Sequence, residues 1–348
     1  MIKKVELEIT SNCNAACPGC ARTLNSDLLK INSFSLDDLR RIFPPNDYTG
    51  IEFKFCGVLG DPAIHPQFVD MIEYIISNNG QVSVSTNGGI GTVENWERLG
   101  RIAATAQERM WIHFCIDGYK ETNHIYRVNT KFNVIERNLA AFAKYAPAGV
   151  GTWVFIVFDH NEYELDAAKE HAKNIGFNFA TRTGMRNSYQ QWIAQLGKKN
   201  KKIEKKITTT KIEHSKKDVV KELDKFINEY KTNKVDKQKT EEVLNTIVCK
   251  YVHEGEIYIG SDLTMWPCCF LYDSAFRNKE SIVDKLQQFE PNWNSLRHHS
   301  IDKIRQHPWF SELLIASWDP AHELHFSRCI KTCGYNKAYH NEIKYADN

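Results

Sequence analysis

The sequence predicts an α/β fold built on a parallel sheet, followed by a smaller region of different composition. Short β-type runs alternate with longer helical patterns over the first half of the 348 residues. Hydrophobic residues make up 42% of the chain, which is enough for a large core. The composition then turns polar and lysine-rich after about residue 186. This alternation is typical of parallel strands joined by right-handed helical crossovers.

Six strands and five helices are predicted from periodicity. The first strand contains Val5, Leu7 and Ile9, which alternate with Glu6 and Glu8. The other strands are predicted at residues 51–56, 82–86, 111–116, 153–158 and 177–181. The helices are predicted at residues 35–43, where Ser35 is an N-cap candidate, 67–79, 93–105, 132–145 and 163–174. Six βα units fit either an open doubly wound sheet or a barrel-like sheet.

The composition favours a cytoplasmic protein that binds metal. The first residues are charged where a signal peptide requires an apolar run, and no stretch approaches the length of a membrane span. We therefore expect no membrane association. Ten cysteines in a reducing compartment are poor candidates for disulfides, so closely spaced cysteines indicate metal ligation.

Three cysteines with the spacing Cys-x3-Cys-x2-Cys directly follow the first strand: Cys13, Cys17 and Cys20. The carboxyl end of a strand is where α/β enzymes carry their chemistry. Three thiolates can hold three irons of a 4Fe-4S cluster and leave the fourth iron open to a ligand. A structural zinc loop with a fourth ligand such as His65 is the alternative.

This cysteine motif resembles the signature of the radical S-adenosylmethionine (radical SAM) superfamily, and the resemblance covers roughly residues 1–185. It implies a partial (βα)6 radical SAM barrel with its active site at the C-terminal rim. It also implies a 4Fe-4S cluster whose open iron binds S-adenosylmethionine and whose electron cleaves it to a 5′-deoxyadenosyl radical. Relatives usually have an aromatic residue just before the third cysteine, where this chain has Gly19.

The resemblance extends to the ends of the later strands. Residues 57–62 resemble the family's Gly-Gly-Glu-Pro segment, in which backbone meets the methionine amino group, and Asp61 stands in place of Glu. The end of the third strand resembles the segment that contacts ribose and carboxylate. The cofactor-binding residues implied on these two strands are Gly57, Gly60, Asp61, Pro62, Ser85, Thr86 and Asn87.

The fourth and fifth strands end in further residues of interest. Asp117 and Arg127 are similar to an Asp-Gly and an Arg of relatives that have C-terminal cluster domains. Asp117 is the candidate catalytic residue, facing the substrate, with a turn-forming Asp-Gly as the equal alternative. Phe158 and Asn161 match the apolar strand and the Asn that flank adenine, and with Arg127 they complete the expected cofactor-binding set.

Five cysteines remain in the C-terminal region. A hairpin-like turn precedes the pair Cys268-Cys269. The arrangement resembles a SPASM/twitch-type domain that binds an auxiliary 4Fe-4S cluster. We expect ligation by Cys249, Cys268, Cys329 and Cys333, with Cys269 as a substitute. Zinc bound by four thiolates is the alternative, because sequence does not distinguish it from a cubane cluster.

These observations predict three regions: the barrel at 1–185, a Lys-rich helical insertion or linker at 186–246, and a smaller α+β auxiliary cluster domain at 247–348. Residues 198–239 contain fifteen Lys and seven Asp or Glu, within a chain whose net charge is +2. We expect a radical SAM enzyme that abstracts hydrogen from a peptide, protein or small molecule, with an electron donor such as flavodoxin or ferredoxin. RNA modification is the alternative that the lysines suggest, and a non-catalytic iron-sulfur or zinc-binding protein is another.

Overall fold

The computed structural model describes residues 1–182, 237–278, 282–286, 288–337 and 343–345, together with residues 225, 226 and 229. The chain divides into two compact units. The sheet unit contains Leu7–Ile212 and Asn341–Asn348, and the C-terminal unit contains Met1–Glu6 and Glu213–His340. Most of the predicted Lys-rich helical insertion at 186–246 lies outside the described residues. The predicted region boundaries therefore stay predictions.

The sheet unit confirms the predicted α/β class with a parallel sheet. Its strands are β2 (Glu52–Phe55), β3 (Gln81–Thr86), β4 (Met110–Cys115), β5 (Gly151–Ile156) and β6 (Asn178–Arg182), which neighbour one another in chain order. All of these strands pair in parallel, for example Val84 with Ile112 and Trp153 with Phe179. A strand at Ile343–Tyr345, which the sequence analysis missed, pairs antiparallel with β6.

Strand β1 (Lys4–Leu7) enters the sheet unit at Leu7, whose carbonyl accepts a hydrogen bond from the Cys56 amide. It is shorter than predicted, since the backbone leaves the strand at Glu8. The loop that contains the first three cysteines follows directly. Both faces of β5 are buried, so this strand lies inside the core of the sheet unit.

The helices of the sheet unit match the predicted ones closely, and short helical turns lie between them. Their bounds are Ala21–Leu24, Leu36–Ile42, Phe68–Ser77, Val93–Thr105, Asn123–Tyr126, Phe132–Ala143 and Leu165–Asn174, with 3-10 turns at Pro62–Ile64 and Glu162–Glu164. Ser35 forms the predicted cap, since its hydroxyl accepts from the Asp38 amide in a capping box. Among the described residues, no helix combines the length and apolar character that crossing a lipid bilayer requires.

Aromatic packing fills the core of the sheet unit. The ring of Phe114 on β4 stacks on Phe177 with centroids 5.3 Å apart and contacts Phe142 at 5.7 Å. Trp153 and Phe155 on β5 are fully buried. This packing fixes the strands whose carboxyl ends bear the candidate site residues.

In the C-terminal unit, β1 neighbours β7 (Glu256–Ile259), and β7 pairs antiparallel with β8 (Met265–Trp266). The predicted hairpin is therefore confirmed, and Leu263 in its turn has a positive φ of 65°. The described helical segments of this unit are Lys237–Leu244, Lys250–Glu254, Cys269–Phe276, Ile282–Leu286, Ile301–Arg305, the π-helical Trp309–Leu313, Leu314–Ala316 and Ser327–Lys337.

Candidate functional site

The loop after β1 brings three thiols to one apolar wall. Cys17 is buried in a cluster with Ala15, Tyr126, Ile156 and Phe158, and Cys13 and Cys20 pack against the same cluster. The rings of Tyr126 and Phe158 contact each other with centroids 4.8 Å apart. The wall therefore contains aromatic surface that Gly19 does not provide.

Burial and neighbouring charged groups shift the pKa values of these thiols. Burial, the Asp61 carboxylate and the Cys17 and Cys20 side chains raise the pKa of Cys13 to about 12. Burial also raises the pKa of Cys17, which the Arg127 guanidinium opposes. Thiolates are the metal-binding form, so a metal must displace these protons when it binds.

Nitrogen–hydrogen donors lie next to two of the sulfurs. Nδ2 of Asn87 is 3.9 Å from Sγ of Cys13, and Nη1 of Arg127 is 3.7 Å from Sγ of Cys17. The Ala15 amide lies 3.4 Å from Sγ of Cys13. Hydrogen bonds to sulfur stabilise thiolate and tune iron-sulfur clusters. The donor set therefore fits a cluster bound by three thiolates.

Across the described ranges, no three His, Cys, Asp or Glu side chains are grouped so as to hold one metal ion. Ligands of a single zinc ion converge on one point, whereas in a cubane each cysteine binds a different iron. His65, the candidate fourth zinc ligand, is buried, and its Nδ1 accepts a hydrogen bond from the Gln67 amide.

The loop after β2 is bound tightly to the cysteine loop. The fully buried Glu8 accepts hydrogen bonds on Oε1 from the amides of Leu59 at 2.8 Å and Gly60 at 3.0 Å. The Asp61 amide donates to the carbonyl of Asn12 at 2.9 Å. A Cβ at position 60 would lie 1.8 Å from the Thr10 carbonyl oxygen, so only glycine allows this approach.

Asp61 joins the loop after β2 to the end of β3. Its Oδ1 accepts from Oγ1 of Thr86 at 2.8 Å, and its Oδ2 accepts from the Asn87 amide at 2.7 Å. The Ala63 amide also donates to it, which caps the turn that begins at Pro62. Burial raises the pKa of Asp61, and these bonds oppose the shift. Asp61 thus orients Asn87, whose Nδ2 donates to Oδ1 of Asn14 at 2.8 Å.

Ser85 differs from its neighbours on β3, because it is half-buried while Thr86 and Asn87 are buried. Gly57 lies against Glu8, and a Cβ there would be 3.1 Å from Cδ of that glutamate. The structure therefore brings most of the predicted cofactor-binding residues of β2 and β3 into one network with the cysteine loop.

Asp117 lies in a buried ion pair. Its side chain has 0% exposure, with Oδ2 2.6 Å from Nε of Arg127 and Oδ1 accepting from the Ile156 amide at 2.7 Å. Burial raises the pKa of Asp117, which the Arg127 cation opposes. This geometry makes Asp117 an anchor for Arg127, and the predicted catalytic role stays a prediction.

Asn161 locks the end of β5. Its Oδ1 accepts from the Phe158 amide at 2.7 Å, and its Nδ2 donates to the carbonyls of Asp117 and Ile156, both at 2.9 Å. These bonds fix the backbone that presents Phe158 to the cysteine wall. The ring of His160 stacks on the ring of Phe158 at 5.2 Å, and burial lowers the pKa of His160 to about 4.

In the C-terminal unit, the four predicted ligands line one cavity. Its lining includes Cys249, Cys268, Cys329 and Cys333, but not Cys269. Burial and then the Cys249 and Cys333 thiols raise the pKa of Cys268. Burial and then Cys249 raise the pKa of Cys333 to about 12. This donor set fits a metal centre bound by four thiolates.

Two important residues escaped the sequence analysis. Glu8 was assigned to the polar face of the first strand, yet it is buried and binds the loop after β2. Lys250 follows Cys249 directly and lines the cysteine cavity of the C-terminal unit. Their position in the sequence could have indicated them, because each of these two charged residues lies within five residues of a candidate metal ligand.

Comparison with solved structures confirms the α/β fold with a parallel sheet. SuiB of Streptococcus suis bound to its precursor peptide SuiA superposes with a TM-score of 0.54 at 13% identity, covering 97% of this chain and 71% of that one. SuiB bound to S-adenosylmethionine gives 0.51 at 12% identity, covering 84% and 66%.

Sequence comparison adds one relative. The tungsten-containing aldehyde ferredoxin oxidoreductase cofactor-modifying protein of Pyrococcus furiosus is 32% identical over 110 residues. The match covers 29% of this chain and 28% of that protein's length. No family model matches the chain.

Proposed function

We propose that the chain is a radical SAM enzyme that reductively cleaves S-adenosylmethionine to a 5′-deoxyadenosyl radical and abstracts hydrogen from a substrate. One observation carries the proposal: the three-thiol loop and the glycine loop after β2 are tied together through Glu8 and Asn12. A zinc loop or an electron carrier does not need this second loop. The shared fold supports the same reading.

In this proposal, Cys13, Cys17 and Cys20 hold three irons of a 4Fe-4S cluster, and residues 57–60 offer backbone to the methionine amino group. The cluster supplies the electron that cleaves the sulfonium. The Tyr126 and Phe158 rings form an apolar wall that excludes water from the reacting atoms. An external electron carrier, such as a flavodoxin or ferredoxin, is required.

We assign a second cluster to Cys249, Cys268, Cys329 and Cys333, because these four thiols line one cavity. Cys269 lies outside the lining, and its sulfur is 3.9 Å from Nζ of Lys250. Iron counting after anaerobic reconstitution tests the assignment. Changing Cys268 to Ala is expected to remove about four irons per chain, whereas Cys269→Ala keeps them. A zinc ion bound by the four thiolates, without a second set of irons, would contradict the assignment.

A peptide is the substrate class that we favour, because the SuiB structure with the precursor peptide SuiA shares the fold over 97% of this chain. The relative from Pyrococcus furiosus, named as cofactor-modifying, supports a small molecule as the second candidate. RNA is a third candidate, supported only by the lysines of residues 198–239. Deuterium transfer from a labelled peptide substrate into 5′-deoxyadenosine would decide for the peptide.

The central test is reductive cleavage without substrate. We expect the anaerobically reconstituted protein to form 5′-deoxyadenosine, and the variant with Cys13, Cys17 and Cys20 changed to Ala to form none. Cys56→Ala is the matched control, because Cys56 is a buried cysteine outside both ligand sets. Product from the triple variant at the wild-type rate, or none from the wild type, would overturn the proposal.

A further inference from the structure

Lys250 is a buried cation to which the proposed function assigns no role. Its side chain is 13% exposed and lines the cavity together with Cys249, Cys268, Cys329 and Cys333. Desolvating an ammonium group is costly, so its position requires compensating negative charge.

Two carboxylates and one thiol lie within 4 Å of the Lys250 ammonium group. Nζ of Lys250 lies 2.7 Å from Oε1 of Glu256, 3.8 Å from Oε2 of Glu6 and 3.9 Å from Sγ of Cys269. The two carboxylates are 3% and 4% exposed. A cation bound on one side by buried carboxylates cannot leave the cavity wall without breaking these two ion pairs.

A second cation shares the wall. Nζ of Lys250 and the guanidinium of Arg328 lie 5.5 Å and 5.3 Å from the centroid of the Phe270 ring, and all three residues line the cavity. Arg328 is 32% exposed whereas Lys250 is 13% exposed, so water screens the charge of Arg328 more. Lys250 is therefore the cation on this wall whose charge is less screened by solvent.

We propose that Lys250 sets the reduction potential of the second cluster, by stabilising the negative charge that its one-electron reduction adds. The inference rests on the proposed second cluster. Net charge and burial are the main determinants of iron-sulfur potentials, and a fixed cation in a desolvated wall favours the reduced state. Glu6 and Glu256 hold the Lys250 ammonium group in place. Each of these carboxylates also opposes the positive field of Lys250 at the second cluster.

This assignment predicts opposite effects for two substitutions at one contact. Lys250→Met removes the cation and lowers the midpoint potential. Glu256→Gln removes an opposing charge, keeps an oxygen that accepts from Nζ, and raises the potential. A Lys250 that served only to pair the glutamates would give no such change of sign, because both substitutions would then act on stability alone.

The experiment uses the full chain with Cys13, Cys17 and Cys20 changed to Ala, so that only the second cluster titrates. Anaerobic redox titration with dithionite, followed by electron paramagnetic resonance, gives the midpoint potential of each variant, and iron content is measured beside it. We expect Lys250→Met to shift the reduction equilibrium at least tenfold, which is about 59 mV for one electron. Lys250→Arg should retain most of the wild-type potential.

Lys285→Met is the matched control, because Lys285 is a lysine of the same unit that bonds the His325 carbonyl and lies outside the cavity lining. Its potential should equal that of the parent. Unchanged potentials in both Lys250→Met and Glu256→Gln at full iron content would overturn the inference. If Lys250→Met loses its iron, the Glu256→Gln shift alone decides. Absence of iron in the parent triple variant would instead overturn the proposed second cluster.

Discussion

Glu8 gives the sharpest test of how the candidate site is built. Its single Oε1 accepts from the amides of Leu59 and Gly60, and its side chain is fully buried. Changing Glu8 to Ala leaves both amides without this acceptor, whereas Glu8→Gln keeps an oxygen in place. The two variants thus separate the loss of the hydrogen bonds from the loss of the charge.

The expected magnitude follows from the two bonds. An unsatisfied buried N–H costs about 1–3 kcal/mol, and Glu8→Ala leaves two such groups without this acceptor. For two bonds that share one oxygen, we expect Glu8→Ala to make local opening of the loop easier by about 3–5 kcal/mol. Since about 1.4 kcal/mol is a factor of ten, the amides should exchange at least about 100-fold faster.

Hydrogen–deuterium exchange of the segment 57–61, followed by mass spectrometry, measures this opening directly. We expect Glu8→Gln to accelerate exchange far less than Glu8→Ala, and S-adenosylmethionine to bind at least about tenfold more weakly to Glu8→Ala. Glu170→Ala is the control, because Glu170 is an exposed residue of the helix Leu165–Asn174. If Glu8→Ala exchanges at the rate of this control, Glu8 does not hold the loop and the reasoning is refuted.

Two further predictions concern the same region. Gly60→Ala should abolish S-adenosylmethionine binding, because its Cβ would meet the Thr10 carbonyl at 1.8 Å. Gly50→Ala should keep binding, because the added carbon has open space and the φ of +82° adds only about 1–2 kcal/mol of backbone strain; equal binding by both variants would count against the close approach. His160→Phe should reduce acid sensitivity: the folded-state pKa of about 4 lies below the ordinary 6.5, so stability is lost as pH falls from 6.5 towards 4. Urea denaturation measures the free energy of unfolding at pH 7.5 and at pH 5.0. Between these values the wild type should lose about 1 kcal/mol more of this free energy than the variant, after a discount for solvent screening of the partly exposed ring. Equal losses in both proteins would contradict the lowered pKa of His160.

The sequence is sufficient to predict most helices and strands of the sheet unit, because the periodicity and capping residues that indicate them are local. The predicted helix at 93–105 agrees with the observed Val93–Thr105, since its apolar residues recur at helical spacing and Thr92 caps it. The antiparallel strand Ile343–Tyr345 was missed because three residues give no measurable periodicity. Its identity as a strand depends on pairing with β6, a contact across more than 150 residues.

The site was predictable in its residue types and less so in their partners. The resemblance to family motifs singled out Asp61 and Asp117 as candidates, and both follow strands of a parallel sheet, whose carboxyl ends lie on one edge. Sequence gave no indication that these carboxylates bond protein groups: Asp61 bonds Thr86 and Asn87, and Asp117 bonds Arg127. Such partners lie up to 26 residues away and are chosen by burial, since a desolvated carboxylate must find donors.

The same electrostatic arrangement occurs in both units. Each group of thiols has one buried cation beside it, and a buried carboxylate holds that cation: Asp117 binds Arg127 near Cys17, and Glu256 binds Lys250 beside the C-terminal cavity. Burial alone makes thiolates costly, as the raised pKa values of Cys17 and Cys268 show. A free cation would gain more from water than from neutral thiols, so the carboxylate is needed to keep it inside until thiolates form. In the proposed function, the cations therefore act as fixed counter-charges that the fold positions before the clusters bind.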